Sequence, residues 1–542
     1  MLGSVALVSR PASAAVTNAA ELVNAVNNGE AGETIDIAAG TFELTAPLHP
    51  KVGMKLKGAG MGQTILRNAA SWAPGNAGLD QDEGVTRSGI DCSKYLFDLG
   101  EGTTDLVISD LTLSGPSVHG AICGVTPHNL ELTRLEFKTF LWAGLRTFIM
   151  QGAKIHDNVF FDAGNKANVT SGSSGGALFL TYADGIDISG NRFGRSVGVD
   201  GYGIKGREFR NAHIHGNTID TDFSIELPFE GDHTVEIDHN YLAGTISIPK
   251  WGGGPVPQGG YTFHVHHNYL KSSYSFEYQR NGVEIDNNLF DFRLDQDYGN
   301  LISSFDSVSA PGGTKMHDNL IRNPGRGLYW NEGVYDDFAF YNNHVKGETT
   351  VTPRTEGLFE FRPARNGDST NWSSIVIRDN IIELTGTERP LMRNDEGHSA
   401  VVENNLLSGV SDASAYGNSE TGKPRGPLAP LCFRVGAQDE WTIDGFTLSK
   451  TPSPVPAGAC GPGGGTGTSQ GGAGQGGTSN GPDPGSSGDN AGAGATQNEP
   501  SSSDSGCACS ATGKRSGHSA GYAATLLVGA LGLLLRQRRR SV

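Results

Sequence analysis

One arrangement of apolar and polar positions recurs along most of the chain: an apolar residue, two polar residues, Asn, any residue, then an apolar residue. Ile155-His156-Asp157-Asn158-Val159-Phe160 and Ile188-Ser189-Gly190-Asn191-Arg192-Phe193 carry it in full. The Asn position returns at Asn217, Asn240, Asn268, Asn288, Asn319, Asn343, Asn380 and Asn405, with spacings of 33, 26, 23, 28, 20, 31, 24, 37 and 25 residues. Degenerate copies precede these at residues 108–113 and 132–137.

Periods of this size belong to solenoids, propellers or arrays. Helical solenoids need long 3.6-residue periodicity, which is absent. The units instead contain short alternating segments, such as Val235-Glu236-Ile237 and Phe263-His264-Val265, which read as strands with one apolar face. The spacing varies too much for propeller blades. A coil of a parallel β-helix accommodates such variation in its turns, and its coils stack about 4.8 Å apart. Equivalent asparagines then form a buried ladder, a role that suits Asn because it tolerates left-handed φ and bonds neighbouring backbone. The expected fold class is therefore all-β, a right-handed single-stranded parallel β-helix spanning residues 15–456. Residues 19–26 form a short amphipathic segment that can cap the first coil and protect its open edge.

Composition agrees with this reading. Among 542 residues there are 78 glycines, and only 18% are charged, which suits turns better than surface helices. The formal net charge is -17. Six basic and no acidic residues lie in the last 36, leaving 35 basic against 58 acidic residues, or -23, in the rest. So acidic a body repels nucleic acid and anionic lipid, although a local basic patch can still hold an anionic sugar. None of the six cysteines forms a metal-spaced CxxC pair. In an exported protein Cys92, Cys123, Cys432 and Cys460 can pair in three ways, of which 92–123 with 432–460 is the most local.

Both ends point to export. Residues 1–14 place an apolar run before Ala12-Ser13-Ala14, a cleavage pattern of the secretory type. Residues 461–506 are almost entirely Gly, Ser, Thr, Ala, Asn, Gln, Asp and Pro, a linker spanning roughly 40 Å. Residues 507–542 begin Cys507-Ala508-Cys509, continue through an apolar stretch at 521–535, and end in Arg536-Gln537-Arg538-Arg539-Arg540. Fifteen apolar residues are short for a stable span, which takes about 20. Linker, cysteine motif, short apolar helix and arginines together resemble the myxobacterial C-terminal sorting tail (MYXO-CTERM). That resemblance implies a sorting protease cutting near the cysteine, a membrane contact through the tail alone, and a body at the cell surface, on the outer membrane or in the medium.

The opening Glu33-Thr34-Ile35-Asp36-Ile37, Gly40-Thr41-Phe42 and Leu56-Lys57-Gly58-Ala59-Gly60, together with the repeat, resembles the pectin-lyase-like β-helices, including the chondroitinase B and alginate lyase group. The resemblance implies a polysaccharide partner and a monomeric protein. In that group a Lys serves as base and an Arg on the following coil assists. Lys205, in Gly203-Ile204-Lys205-Gly206, falls where that lysine is expected, but the following coil reads Ser224-Ile225-Glu226-Leu227 and lacks the Arg.

Aligned by their inward residues (Ile204, Ile225, Ile246, Phe276, Ile302, Leu328, Leu358 and Leu391), the coils present an outward stripe of Lys205, Glu226, Ser247, Glu277, Ser303, Tyr329, Phe359 and Met392. Arg207, Lys250, Trp251, Arg280 and Arg362 lie near it. A lyase would use Lys205 as base, Arg207 to assist, and Glu226 to orient Lys205 or hold calcium. Lys250 and Arg280 would grip substrate carboxylates, with Arg362 adding positive charge and Trp251 or Tyr329 stacking on sugar rings. An inverting hydrolase would use Glu226 and Glu277, two coils and about 9.6 Å apart. A glycan-binding adhesin would keep the aromatic and basic residues and need no base. Asp238-His239-Asn240, and Arg389-Pro390 with His398, resemble pectate lyase segments but lie within repeat-shaped sequence. The histidines at 156, 215, 266 and 317 all stand two places before the ladder Asn, and His239 and His267 stand directly before it. They read as repeat positions and imply no metal cluster.

Overall fold

The structure is a computed structural model. It describes residues 15–75, 91–164, 175–196, 201–221, 223–227, 234–248, 262–271, 276–278, 282–291, 300–307, 313–325, 327–333, 337–349, 357–362, 374–386, 388–394, 400–413, 441–443 and 446–448. The leader, the linker, the tail, and Lys250, Trp251, Arg280 and His398 lie outside the described residues. Among the described residues no helix is long and apolar enough to cross a membrane.

The chain winds as a right-handed parallel β-helix. Among the described residues two long sheets, of 26 and 12 strands, run along the stack. One coil shows the plan. Ala212–His215 leads through the Asn217 turn to Thr218–Ile219, both in the larger sheet, and then to Phe223–Glu226 in the smaller one. The next coil begins at Thr234–Asp238, which pairs parallel and in register with Ala212–His215. Each strand turns one apolar side chain inward. Ile214, Ile237, Val265 and Ile285 stack from coil to coil and are fully buried. Phe137, Phe160 and Phe193 continue the principle as stacked rings with centroids 4.4 and 4.8 Å apart.

Helix α1 (Ala19–Asn28) closes the first coil, running two residues past the expected segment. Asn18 caps it by accepting the Glu21 N–H at 3.0 Å, while the Glu21 carboxylate accepts the Thr17 N–H at 2.9 Å. Leu22 and Val26 bury against the apolar end of the stack. Trp441–Ile443 and Phe446–Leu448 pair antiparallel.

The asparagine ladder runs as expected from Asn158 to Asn405. Each of the ten asparagines is buried. In every step the side-chain Oδ1 accepts the backbone N–H and the Nδ2 of the Asn one coil earlier, as Asn268 does from Asn240, both at 3.0 Å. Each Nδ2 also donates to a backbone carbonyl, as Asn268 does to Ile237 at 2.8 Å. The left-handed φ lies one residue earlier than the sequence suggests. Asp157, His239, His267, Asn287, Asp318, Asn342, Asp379 and Asn404 carry φ of 51–60°, as Gly190 and Gly216 do at 64° and 62°. The ladder Asn supplies side-chain bonds, and the residue before it makes the bend.

Candidate functional site

The smaller sheet presents a column of side chains facing away from the core: Arg146, Phe179, Lys205, Glu226 and Ser247 are register partners on successive strands. Their inward neighbours Leu145, Leu178, Ile204, Ile225 and Ile246 belong to the core. Alternation thus places Lys205 and Glu226 on the outer side, as the sequence alignment anticipates.

Outer does not mean exposed here. Lys205 and Glu226 are each only 3% accessible. Their Nζ and Oε1 stand 3.2 Å apart, so the expected neighbours form a buried ion pair. Desolvating both charges is costly and needs compensation. The Lys205 ammonium lies 4.5 Å from the Tyr202 ring centroid and 5.6 Å from that of Phe179, close enough for both ring faces to stabilise the cation. Tyr202 is held by stacking on Phe223 at 4.9 Å. Phe179 also belongs to an apolar cluster with Cys92, Tyr95, Cys123, Trp142 and Ala143, and Cys123 continues the column as the register partner of Arg146. A Cys92–Cys123 disulfide ties the cluster together, with Cα atoms 5.3 Å apart. This is the local member of the pairings left open by sequence, while Cys432 and Cys460 lie outside the described residues.

Arg146 was missed by the sequence alignment, which began two coils too late; Leu145-Arg146 and Leu178-Phe179 continue the same inward–outward pattern. Its guanidinium donates to the Thr147 carbonyl at 2.5 Å and the Thr181 hydroxyl at 2.7 Å, and lies 4.3 Å from the Phe179 ring centroid. Arg207, two residues beyond Lys205, is half-buried.

Two further expectations meet the register. Glu277 does align with Ser247, and Ser247 with Glu226, so the two carboxylates are two coils apart; the Glu277 side chain, like that of Arg362, lies outside the described residues. Tyr329 is corrected. The sheet pairs Ile302 with Tyr329, Tyr329 with Phe359 and Phe359 with Met392, one residue later than the alignment through Leu328, Leu358 and Leu391. Tyr329 is 1% exposed and packs in the core, 4.3 Å from Phe338 and 5.4 Å from Phe361 between ring centroids. It offers no stacking platform. Leu328-Tyr329, Leu358-Phe359 and Leu391-Met392 are each two apolar residues in a row, so alternation does not say which member faces the core.

The described residues around Glu226 do not fit calcium. That ion takes six to eight oxygens, whereas Oε1 of Glu226 faces an ammonium at 3.2 Å. In the other segments resembling pectate lyase, His239 occupies a left-handed turn position and Arg389 is buried.

On the larger sheet the histidines do occupy repeat positions, but the register also brings them among carboxylates, against the expectation that they form no cluster. His213 Nε2 meets Asp238 Oδ2 at 3.2 Å, and His264 Nε2 meets Asp286 Oδ1 at 2.6 Å. The Asp238 hydrogen bond raises the pKa of His213 over the opposing effect of burial. Burial pushes the Asp238 carboxyl up, but hydrogen bonds from His213 and His239 outweigh it and hold the group well below the usual range.

No family model matches the chain, and no curated protein does. Among solved structures it is similar to the A-module of the Azotobacter vinelandii mannuronan C-5 epimerase AlgE4, with 14% identity, a TM-score of 0.36, and 72% of this chain and 100% of that one covered. Alginate lyase from Paenibacillus sp. str. FPU-7 gives 14% identity and a TM-score of 0.36, over 57% of this chain and 94% of that one. The tailspike protein of E. coli bacteriophage HK620 gives 11% identity and a TM-score of 0.47, over 71% and 74%. Likenesses at this level bear on no residue of the site.

Proposed function

We propose that the chain is an exported protein that acts on polysaccharide, as a lyase cleaving uronic-acid-containing glycan by β-elimination at Lys205 and Glu226. The supporting observation is the ion pair itself: a lysine and a glutamate in register, 3.2 Å apart, on the outer side of the smaller sheet. Elimination needs a base for the proton beside the carboxylate, a donor for the leaving oxygen, and positive charge against the substrate carboxylate. The pair can supply the first two. Passing one proton from the Lys205 ammonium to Glu226 leaves a neutral amine and a carboxylic acid, which removes two buried charges. The amine then takes the carbon-bound proton, the electron pair forms the carbon–carbon double bond, and the bond to the leaving sugar oxygen breaks. Glu226 protonates that oxygen, and the pair returns to its resting charges. Arg207, permanently cationic, faces the substrate carboxylate.

The disulfide and the basic-ended tail support export, with the tail cut by a sorting protease. A second reading, a non-catalytic glycan-binding protein, is favoured by the low accessibility of Lys205, whose amine offers a sugar ring little surface. The full chain should be incubated with alginate, pectin and glycosaminoglycans while unsaturated uronate and reducing ends are both followed. The lyase releases both, and Lys205→Gln and Glu226→Gln each abolish both. Reducing ends without unsaturation, lost in Glu226→Gln and Glu277→Gln, make the protein an inverting hydrolase. Glycan retention with neither product supports the binder and refutes catalysis.

A further inference from the structure

The geometry points to two transition-metal sites of identical design on the outer face of the larger sheet, one formed by Asp187, His213 and His215 and the other by Glu236, His264 and His266. This face is distinct from the sheet that carries Lys205 and Glu226, so the inference stands or falls independently of the lyase reading.

The design follows from strand geometry. His213-Ile214-His215 and His264-Val265-His266 each bury the middle residue in the core, so both histidines of each strand face outward together. Parallel in-register pairing sets Asp187 beside His213 one coil earlier, and Glu236 beside His264. In each set the three possible ligand atoms lie within 4.8 Å of one another.

The hydrogen bonds repeat as well. The second histidine turns Nε2 back to the carboxylate of the preceding coil, His215 to Asp187 at 3.3 Å and His266 to Glu236 at 3.0 Å. Two ligands bound to one zinc ion at 2.0–2.2 Å stand about 3.3–3.6 Å apart in tetrahedral geometry, so these pairs lie within a few tenths of an ångström of the required bite. The first histidine turns Nε2 forward to the next coil, His213 to Asp238 and His264 to Asp286. That engages Nε2 with an outer carboxylate of the kind that commonly orients a metal-bound imidazole, so Nδ1 is the nitrogen each would offer a metal. Two imidazoles and one carboxylate suit zinc, nickel, copper or ferrous iron, and suit calcium poorly. The ligands are half-buried or exposed, so an ion and its waters have access.

The test is equilibrium dialysis of the metal-free full chain against zinc chloride, with bound metal measured by mass spectrometry. Two ions per chain are expected. His213→Ala with His215→Ala should leave one, His264→Ala with His266→Ala should leave one, and all four together none. Asp286→Asn should weaken only the second site, by about ten- to a hundred-fold, a split that general misfolding would not produce. His49→Ala, outside the strip, should change nothing. Circular dichroism of the metal-free variants checks folding. On the native chain cobalt(II) should develop visible bands of imidazole coordination, which needs no variant. Absence of bound zinc from the native chain, or native stoichiometry in the four-histidine variant, overturns the proposal.

Discussion

Replacing Asn268 with Leu keeps the number and branching of side-chain heavy atoms and removes both ladder functions. Asn268 Oδ1 accepts the backbone N–H of Asn240 at 3.0 Å, and that N–H has no other hydrogen bond in the ladder. Asn268 Nδ2 donates to the Ile237 carbonyl at 2.8 Å. Asn240 Nδ2 keeps its second acceptor, the Ile214 carbonyl, and Asn288 Oδ1 keeps the backbone N–H of residue 268. One buried backbone donor, the Asn240 N–H, is therefore orphaned, and the Ile237 carbonyl loses one of its donors. The unpaired N–H costs about 1–3 kcal/mol, and the carbonyl, which has two lone pairs, adds less. Added apolar burial offsets little of this, because the site is already packed. Denaturant unfolding of the full chain should show the lost stability. A coil stack can unfold in parts, so amide hydrogen exchange at Asn240 supplies the local reading: its protection should fall by the same free energy, while that of a distant ladder residue such as Asn405 holds. An unchanged midpoint with unchanged Asn240 protection would refute the ladder as an energetic element.

Three further outcomes follow from the same structure. Asn342 has φ 55°, so Asn342→Val should cost about 1–2 kcal/mol in thermal or chemical unfolding while Asn342→Gly stays near neutral; equal effects would deny the left-handed turn. Lys205→Met strands the buried Glu226 and should destabilise by about 3–5 kcal/mol, whereas Lys205→Met with Glu226→Leu should regain most of it; a double variant no better than the single would mean the pair is not the cause. Cys92→Ser with Cys123→Ser should cost about 2–4 kcal/mol, seen as a lower melting temperature that reductant no longer shifts.

Much of the fold was legible because the repeat encodes it directly. An inward apolar residue five places before another, with Asn between, states where a coil turns and which faces look inward. The outward placement of Lys205 and Glu226 followed, since single apolar residues flank polar ones there. The pattern failed where it was ambiguous. Paired apolar residues at Leu328-Tyr329 left the register undecided, and Tyr329 went into the core. Arg146 escaped because its coil lies before the clear repeats. The left-handed turn residue was placed one position late, because Asn suits that conformation and the ladder equally well.

Sequence by itself determined the periodicity, hence the coil, the ladder and the inner face, because these depend on neighbours within one repeat. Tertiary structure alone decided what meets across coils. Residues 20 to 40 positions apart become neighbours only through parallel register. That register turned a presumed solvent-facing pair, Lys205 and Glu226, into one shielded from water, and turned histidines that looked like repeated turn chemistry into alternating rows of imidazole and carboxylate. Register also places Cys123 and Phe179 in the row that leads to Lys205, so an apolar, disulfide-tied cluster occupies part of a face that strand alternation alone would leave wet.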